Sequence, residues 1–89
     1  MSVYIVTYDL RSPGRNYDDL YAALKKYTHC HDLESVWFVD SQNSAATIRD
    51  HIKQSMDSND GLFVGKLTQS WGSWSIQCAV WLNATARTW

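Results

Sequence analysis

The strongest constraint on this chain is its first apolar segment, which ends abruptly in a turn-forming run. Residues 3–8 read VYIVTY and are β-branched or aromatic throughout, and residues 9–14 read DLRSPG. β-branched and aromatic residues favour strands, whereas a Pro-Gly pair ends one. Since neither face of this strand is suited to water, we expect helices on one face, with another subunit as a candidate cover for the other.

Two later segments have the spacing of amphipathic helices. The first follows Asn16, a helix-capping residue type, and has acidic residues in its first turn and lysines near its end, which suits the helix dipole. The second follows Ser44, another capping residue. The apolar positions are Tyr17, Leu20, Leu24 and Tyr27 in the first helix and Ala45, Ile48, Ile52 and Met56 in the second.

Strand-forming residues recur at positions 28–33, 36–39 and 62–67. The element order is therefore βαββαβ. Two helices that cover one face of a four-stranded antiparallel sheet make the ferredoxin-like sandwich, an α+β fold. Because 89 residues suffice for one core only, we predict a single ferredoxin-like domain over residues 1–89.

The C-terminal segment, residues 70–89, contains two competing patterns. Alternate residues between Trp74 and Leu82 are apolar, as in a strand, whereas another set that includes Cys78 recurs at helical spacing. Gly72 and the serines favour the strand, so we predict a C-terminal tail strand or dimerisation segment. Its aromatic rings could stack on nucleic-acid bases. Because few basic residues lie among them, packing in the core or in a dimer interface is favoured. The tryptophans are Trp71, Trp74, Trp81 and Trp89.

Charge and cysteine content narrow the class of protein. The formal net charge is −1, so the chain lacks the basic excess behind non-specific nucleic-acid binding, and such binding would have to use local patches. Two cysteines are too few for a disulfide framework, and the first residues carry no basic signal region, so we expect reduced thiols and a cytoplasmic location. No apolar run approaches the ~20 residues that span a bilayer, so no membrane partner is expected.

Asp9 is the candidate catalytic and metal-binding residue. It ends the first strand, and Arg11 and Arg15 follow it, so a carboxylate for Mg²⁺ would lie beside guanidinium groups that can hold phosphate. The alternative is an ordinary turn or ion pair with either arginine. One carboxylate is too few for paired-acid or two-metal hydrolysis, but a symmetric homodimer would supply a second copy.

The run His29-Cys30-His31 has the residue types of a metal site. On a strand the two histidines share a face and Cys30 points to the other, which leaves two ligands where zinc usually takes four. A surface pair and a proton-transfer role both stay open for the histidines.

Several segments occur together in this order: the strand ending in Asp9, an arginine-containing loop, the helix of Leu20 and Leu24, and segments 35–38 and 56–64. Over roughly residues 3 to 67 they resemble the CRISPR-associated endonuclease-type adaptation subunit family and its stand-alone, non-CRISPR relatives. The resemblance implies a ferredoxin-like homodimer with sheets packed face to face, and a Mg²⁺-dependent phosphodiesterase centre at the strand-one aspartate of both chains.

These observations lead to one main hypothesis and two rivals. The main one is a metal-dependent endonuclease-like homodimer that hydrolyses RNA or DNA phosphodiester bonds, in which Asp9 holds Mg²⁺ and Arg11 or Arg15 positions phosphate. The alternative is a non-catalytic nucleic-acid-binding or assembly dimer, because catalytic groups are sparse and the tail is aromatic. The slight negative charge also permits an interaction protein with no nucleic-acid role.

Overall fold

The computed structural model describes residues 1–87 and 89; Thr88, in the predicted tail segment, lies outside the described residues. Within those residues, no helix is both long enough and apolar enough to cross a membrane. The strands are β1 (Ser2–Asp9), β2 (Thr28–Leu33), β3 (Val36–Ser41) and β4 (Gly61–Lys66), and the helices are α1 (Asp18–Lys25), α2 (Ala45–Lys53) and α3 (Cys78–Asn83).

The four strands form one sheet in the order β2-β3-β1-β4, in which every neighbouring pair is antiparallel. Helix α1 joins β1 to β2, which lies beyond β3, and helix α2 joins β3 to β4, which lies beyond β1. Each helical connection therefore passes over a strand from the other half of the chain. The prediction of an α+β fold with a four-stranded antiparallel sheet is confirmed.

Ser44 is the N-cap of α2, as predicted, whereas the N-cap of α1 is Tyr17, one residue after the predicted Asn16. Oδ1 of Asn16 accepts a hydrogen bond from the amide of Asp18 at 2.8 Å, and Oγ of Ser44 accepts one from the amide of Thr47 at 3.1 Å. These bonds satisfy N–H groups that have no partner within the first helical turn. The start of each helix is therefore encoded locally.

Helices α1 and α2 cover one face of the sheet, where alternate residues of β1 join the main core. Within this core, Nε1 of Trp37 donates a hydrogen bond to the hydroxyl of Tyr8 at 3.1 Å, which pairs the polar atom of a buried indole. The buried residues of this core are Tyr4, Val6, Tyr8, Leu20, Ala23, Leu24, Trp37, Val39, Ile48 and Ile52.

The chain's own C-terminal segment covers much of the opposite face. Val3 and Phe38 on this face are buried in a second cluster with Cys78 and Leu82 of α3. The prediction of a tail strand is therefore wrong, because residues Cys78–Asn83 form a helix. Cys78 and Leu82 are four residues apart, so a helix turns both towards the sheet, and both are buried there.

Cys30 of β2 and Cys78 of α3 form a disulfide, with their Cα atoms 5.8 Å apart. The expectation of two reduced thiols is therefore wrong. A spacing of 48 residues gives no sign of pairing in the sequence, and the two sulfurs meet only because the tail folds back over the sheet. The cytoplasmic location stays a prediction.

Candidate functional site at the end of strand β1

Asp9 is the last residue of β1 and lies at the rim of the sheet. Its side chain is 71% exposed, so the carboxylate is open to solvent and to a partner. Oδ2 accepts a hydrogen bond from Nε of Arg11 at 3.0 Å. Since an exposed ion pair of this kind stabilises a protein by only about 0–1 kcal/mol, little free energy is needed to open it.

Gly61 of β4 makes room for this ion pair. It lies opposite Asp9 in the antiparallel register, and a Cβ atom at this position would lie 2.9 Å from Nη2 of Arg11. The guanidinium group therefore lies across the glycine. A side chain at position 61 would displace Arg11.

Asp60 ties the loop after β1 to the turn before β4. Its Oδ1 accepts hydrogen bonds from the amide of Arg11 at 2.7 Å and the hydroxyl of Tyr17 at 2.9 Å, and its Oδ2 accepts one from the amide of Asp57 at 2.9 Å. Burial tends to raise the pKa of the Asp60 carboxyl, but hydrogen bonds from the two amides outweigh it and hold the pKa below its ordinary value. An ionised Asp60 thus fixes the point from which the Arg11 side chain extends.

Arg15 does not join Asp9 and Arg11. Its Nη1 lies 3.7 Å from Oδ2 of Asp57, and its Cζ lies 5.5 Å from the centre of the Tyr17 ring. The structure therefore brings together two of the three candidate site residues, and Arg15 belongs to the contacts between the loop and the segment before β4.

The described residues of one chain bring no cluster of metal-binding side chains to Asp9. Among residues 1–87 and 89, no group of three or more histidine, cysteine, aspartate or glutamate side chains is placed to hold a metal ion. Asp9 offers one carboxylate, and Arg11 already pairs with it. Mg²⁺ is usually held by one or two carboxylates together with substrate phosphates and water. A metal at Asp9 would complete its coordination with water, substrate phosphates or a carboxylate of a second chain.

Next to Asp9, part of the tail-covered face of the sheet remains open. Thr7 lies between Val36 of β3 and Phe63 of β4 in the register, and Phe63 is 61% exposed. The Phe63 ring lies over Gly65, where a Cβ atom would be 2.9 Å from its Cε2. A shallow groove of about 290 Å³ borders both Phe63 and Asp9. The open sheet patch is defined as the exposed Phe63 together with Ile5, Thr7 and Val36, which are half-buried.

The histidines of β2 share one face, as predicted. Their rings pack against Trp37, and the ring centres of His31 and Trp37 are 4.0 Å apart in a stack, whereas Cys30 lies in the second cluster. Nδ1 of each histidine lies 2.8 Å from a backbone carbonyl oxygen, which only accepts, so Nδ1 donates and Nε2 is the basic nitrogen. His31 also borders a second groove, of about 400 Å³, that reaches Asp9.

Most of the tail tryptophans pack against the rest of the protein. Trp71, Trp81 and Trp89 lie against the second cluster, whereas Trp74 is 89% exposed. The packing interpretation therefore fits three of them, and Trp74 alone presents an open ring.

Three residues around the site were not predicted as site residues, although they lie in segment 56–64, which contributes to the family resemblance: Asp60, Gly61 and Phe63. Residues 58–61 indicate only a turn, and Phe63 belongs to an apolar strand like its neighbours. A single sequence does not connect Asp60 with Arg11, because 49 positions separate them.

No family model matches the chain, and no solved structure matches it. The site is therefore interpreted from its own geometry.

Proposed function

We propose that the protein works as a homodimer that hydrolyses phosphodiester bonds in RNA or DNA, with Asp9 of each chain as a Mg²⁺ ligand. The observation that carries this proposal is the position of Asp9, an exposed carboxylate at a strand end beside the open sheet patch. A two-fold interface uses the same surface of both subunits. A dimer through the patch would bring two Asp9 carboxylates to one interface and supply the pair that a single chain lacks.

A ferredoxin-like fold is part of the proposal. The order β2-β3-β1-β4, with α1 and α2 on one face, supports it. The strand-end Asp9 and the adjacent Arg11 support kinship with the stand-alone relatives of CRISPR-associated endonuclease-type subunits. Because the tail occupies part of the free face, the interface would be smaller than in a full face-to-face packing of sheets.

Two basic residues have roles in this reaction. The exposed Asp9–Arg11 pair opens at little cost, which frees the guanidinium group to bind a phosphate oxygen. His31 borders the groove that reaches Asp9, and Nε2, which is left free to accept when Nδ1 donates, would take the proton of the attacking water. Mg²⁺ at Asp9 would supply Lewis-acid stabilisation of the charge that builds on the phosphoryl group.

A cleavage assay with Mg²⁺ tests the proposal. Wild type should cut RNA or DNA oligonucleotides, and Asp9→Asn should lower the rate about 100-fold or more, which is typical of removing one catalytic group. Asp50→Asn is the matched control, because Asp50 is also an exposed carboxylate in an ion pair with an arginine, Arg49. Equal rates for Asp9→Asn and wild type would reject the proposal.

A non-catalytic nucleic-acid-binding or assembly dimer is the second candidate. It is favoured by the single, arginine-paired carboxylate at the site. Binding in Mg²⁺-free buffer at about 50 mM salt, where phosphate contacts are strong, should then survive Asp9→Asn but weaken with Arg11→Ala or Trp74→Ala. Fluorescence anisotropy of a labelled oligonucleotide measures this binding. If the wild-type protein binds no nucleic acid, only the assembly role of this candidate remains.

A further inference from the structure

The Cys30–Cys78 disulfide joins two segments whose relative position decides how much of the sheet face is covered. Cys30 lies on the edge strand β2, and Cys78 is the first residue of α3. Helix α3 has six residues and no side-chain cap hydrogen bond. Since a helix this short is not stable alone in water, its place on the sheet depends on its anchors.

The tail is also held by non-covalent contacts, which include the packing of Trp71 and Trp81 against the second cluster. Leu82 is buried in the second cluster, the amide of Gln77 donates a hydrogen bond to Asp32, and Nη1 of Arg87 pairs with Asp40. In the chain, Cys78 lies between Gln77 and Arg87. The disulfide therefore holds Gln77, Leu82 and Arg87 near their partners on the sheet, which raises the effective concentration of each contact. Breaking it would therefore weaken every other anchor.

We propose that reduction of the Cys30–Cys78 disulfide releases the tail and enlarges the surface available to a second copy of this chain. A dithiol reductant supplies two electrons and two protons: the S–S bond breaks, each cysteine becomes a thiol, and the reductant becomes a disulfide. Cys30 is partly exposed at the sheet edge, whereas Cys78 is fully buried. The disulfide is therefore more accessible from the Cys30 side than from the Cys78 side.

We expect a second copy of this chain to bind the released surface, because that surface adjoins the open sheet patch through which the proposed dimer forms. Val3 and Ile5 lie on the same face of β1, and Phe38 is opposite Ile5 in the register. Release of the tail would add the buried side chains of Val3 and Phe38 to the patch. A larger apolar interface favours association. This step rests on the proposed function, because it uses the proposed dimer.

Hydrogen exchange and sedimentation velocity on the full chain, oxidised and in dithiothreitol, test both steps. On reduction, amides of α3 should exchange at least about tenfold faster, because local opening becomes easier. The dimer Kd should fall at least about tenfold, as expected when apolar area is added to an interface. The Cys30→Ser/Cys78→Ser double variant should match the reduced protein in both buffers, which controls for other effects of the reductant.

The outcomes are distinguishable. Equal protection of α3 in both redox states would overturn the release. Release without a change in Kd would overturn the link to the second copy, while the proposed dimer would stand. If neither state dimerises, the proposed homodimer fails and the link fails with it. Amides of β1 report on global unfolding: if they lose protection together with α3, the disulfide holds the whole fold and the proposal is overturned.

Discussion

Nη1 of Arg87 lies 2.6 Å from Oδ2 of Asp40, although the two residues are 47 positions apart. Both side chains are largely buried, at 11% and 3% exposed, and Cζ of Arg87 lies 4.1 Å from the centre of the Trp81 ring. A buried charge is costly unless it is paired. The pair therefore ties the end of the tail to strand β3.

Removing only one charge of the Arg87–Asp40 pair should destabilise the protein more than removing both charges. Arg87→Met leaves the Asp40 carboxylate buried and unpaired, and we expect a loss of about 3–5 kcal/mol in the free energy of unfolding. Asp40→Asn in the same chain should recover much of the loss, since no buried charge remains. Urea unfolding measures both. The exposed Arg49→Met is the control, and it should stay within about 1 kcal/mol of wild type.

Stability should depend on acid pH through Asp60. Its folded pKa lies below the ordinary value of 3.8, so the stabilisation from its ionised form is complete above that value and is lost as the pH falls through the folded pKa. Asp60→Asn, which turns an amide group towards the Asp57 N–H or the Tyr17 hydroxyl, should destabilise the protein at neutral pH. The difference in urea midpoint between variant and wild type should shrink below about pH 4. A difference that stays constant at every pH would contradict this.

The Trp37–Tyr8 hydrogen bond should be measurable as a coupling energy. Trp37→Phe leaves a cavity and an unpaired hydroxyl, and we expect a cost of about 2–4 kcal/mol; Tyr8→Phe should cost about 1–2 kcal/mol. Burial raises the pKa of Tyr8, so the hydroxyl stays protonated across the usual pH range. A double-mutant cycle with thermal or urea unfolding isolates the bond. Strict additivity of the two changes would argue against it.

Gly61→Ala should separate Arg11 from Asp9 with little effect on folding. The new methyl group would overlap Nη2 of Arg11, so the guanidinium group has to move. NMR measures the change: the chemical shift of the Arg11 Nε–H proton should lose the displacement that contact with the Asp9 carboxylate produces. Gly72→Ala is the matched control, because no atom lies within 4 Å of a Cβ at that position. An unchanged Arg11 signal in Gly61→Ala would contradict the described packing.

The local parts of the fold and site were predictable from the sequence, and the long-range parts were not. Arg11 follows Asp9 by two residues at a strand end, so their proximity follows from the loop itself. Asp60 reaches the same loop through the pairing of β4 with β1, from 49 positions away in the chain. In the tail, strand and helix patterns overlap. A strand would put Val80 on the same face as Cys78 and Leu82, whereas in the helix Val80 is 79% exposed and the other two are buried against the sheet.

The partial cover that the tail gives to the sheet also has an evolutionary consequence. In the proposed dimer, the area left for association would be set by the connection after β4 rather than by the core between sheet and helices, because the two apolar clusters are separate. Insertions or deletions in that connection would shift the balance between a self-capped subunit and an assembled one. Quaternary structure can therefore diverge among descendants of such a chain while the helix-covered core stays unchanged.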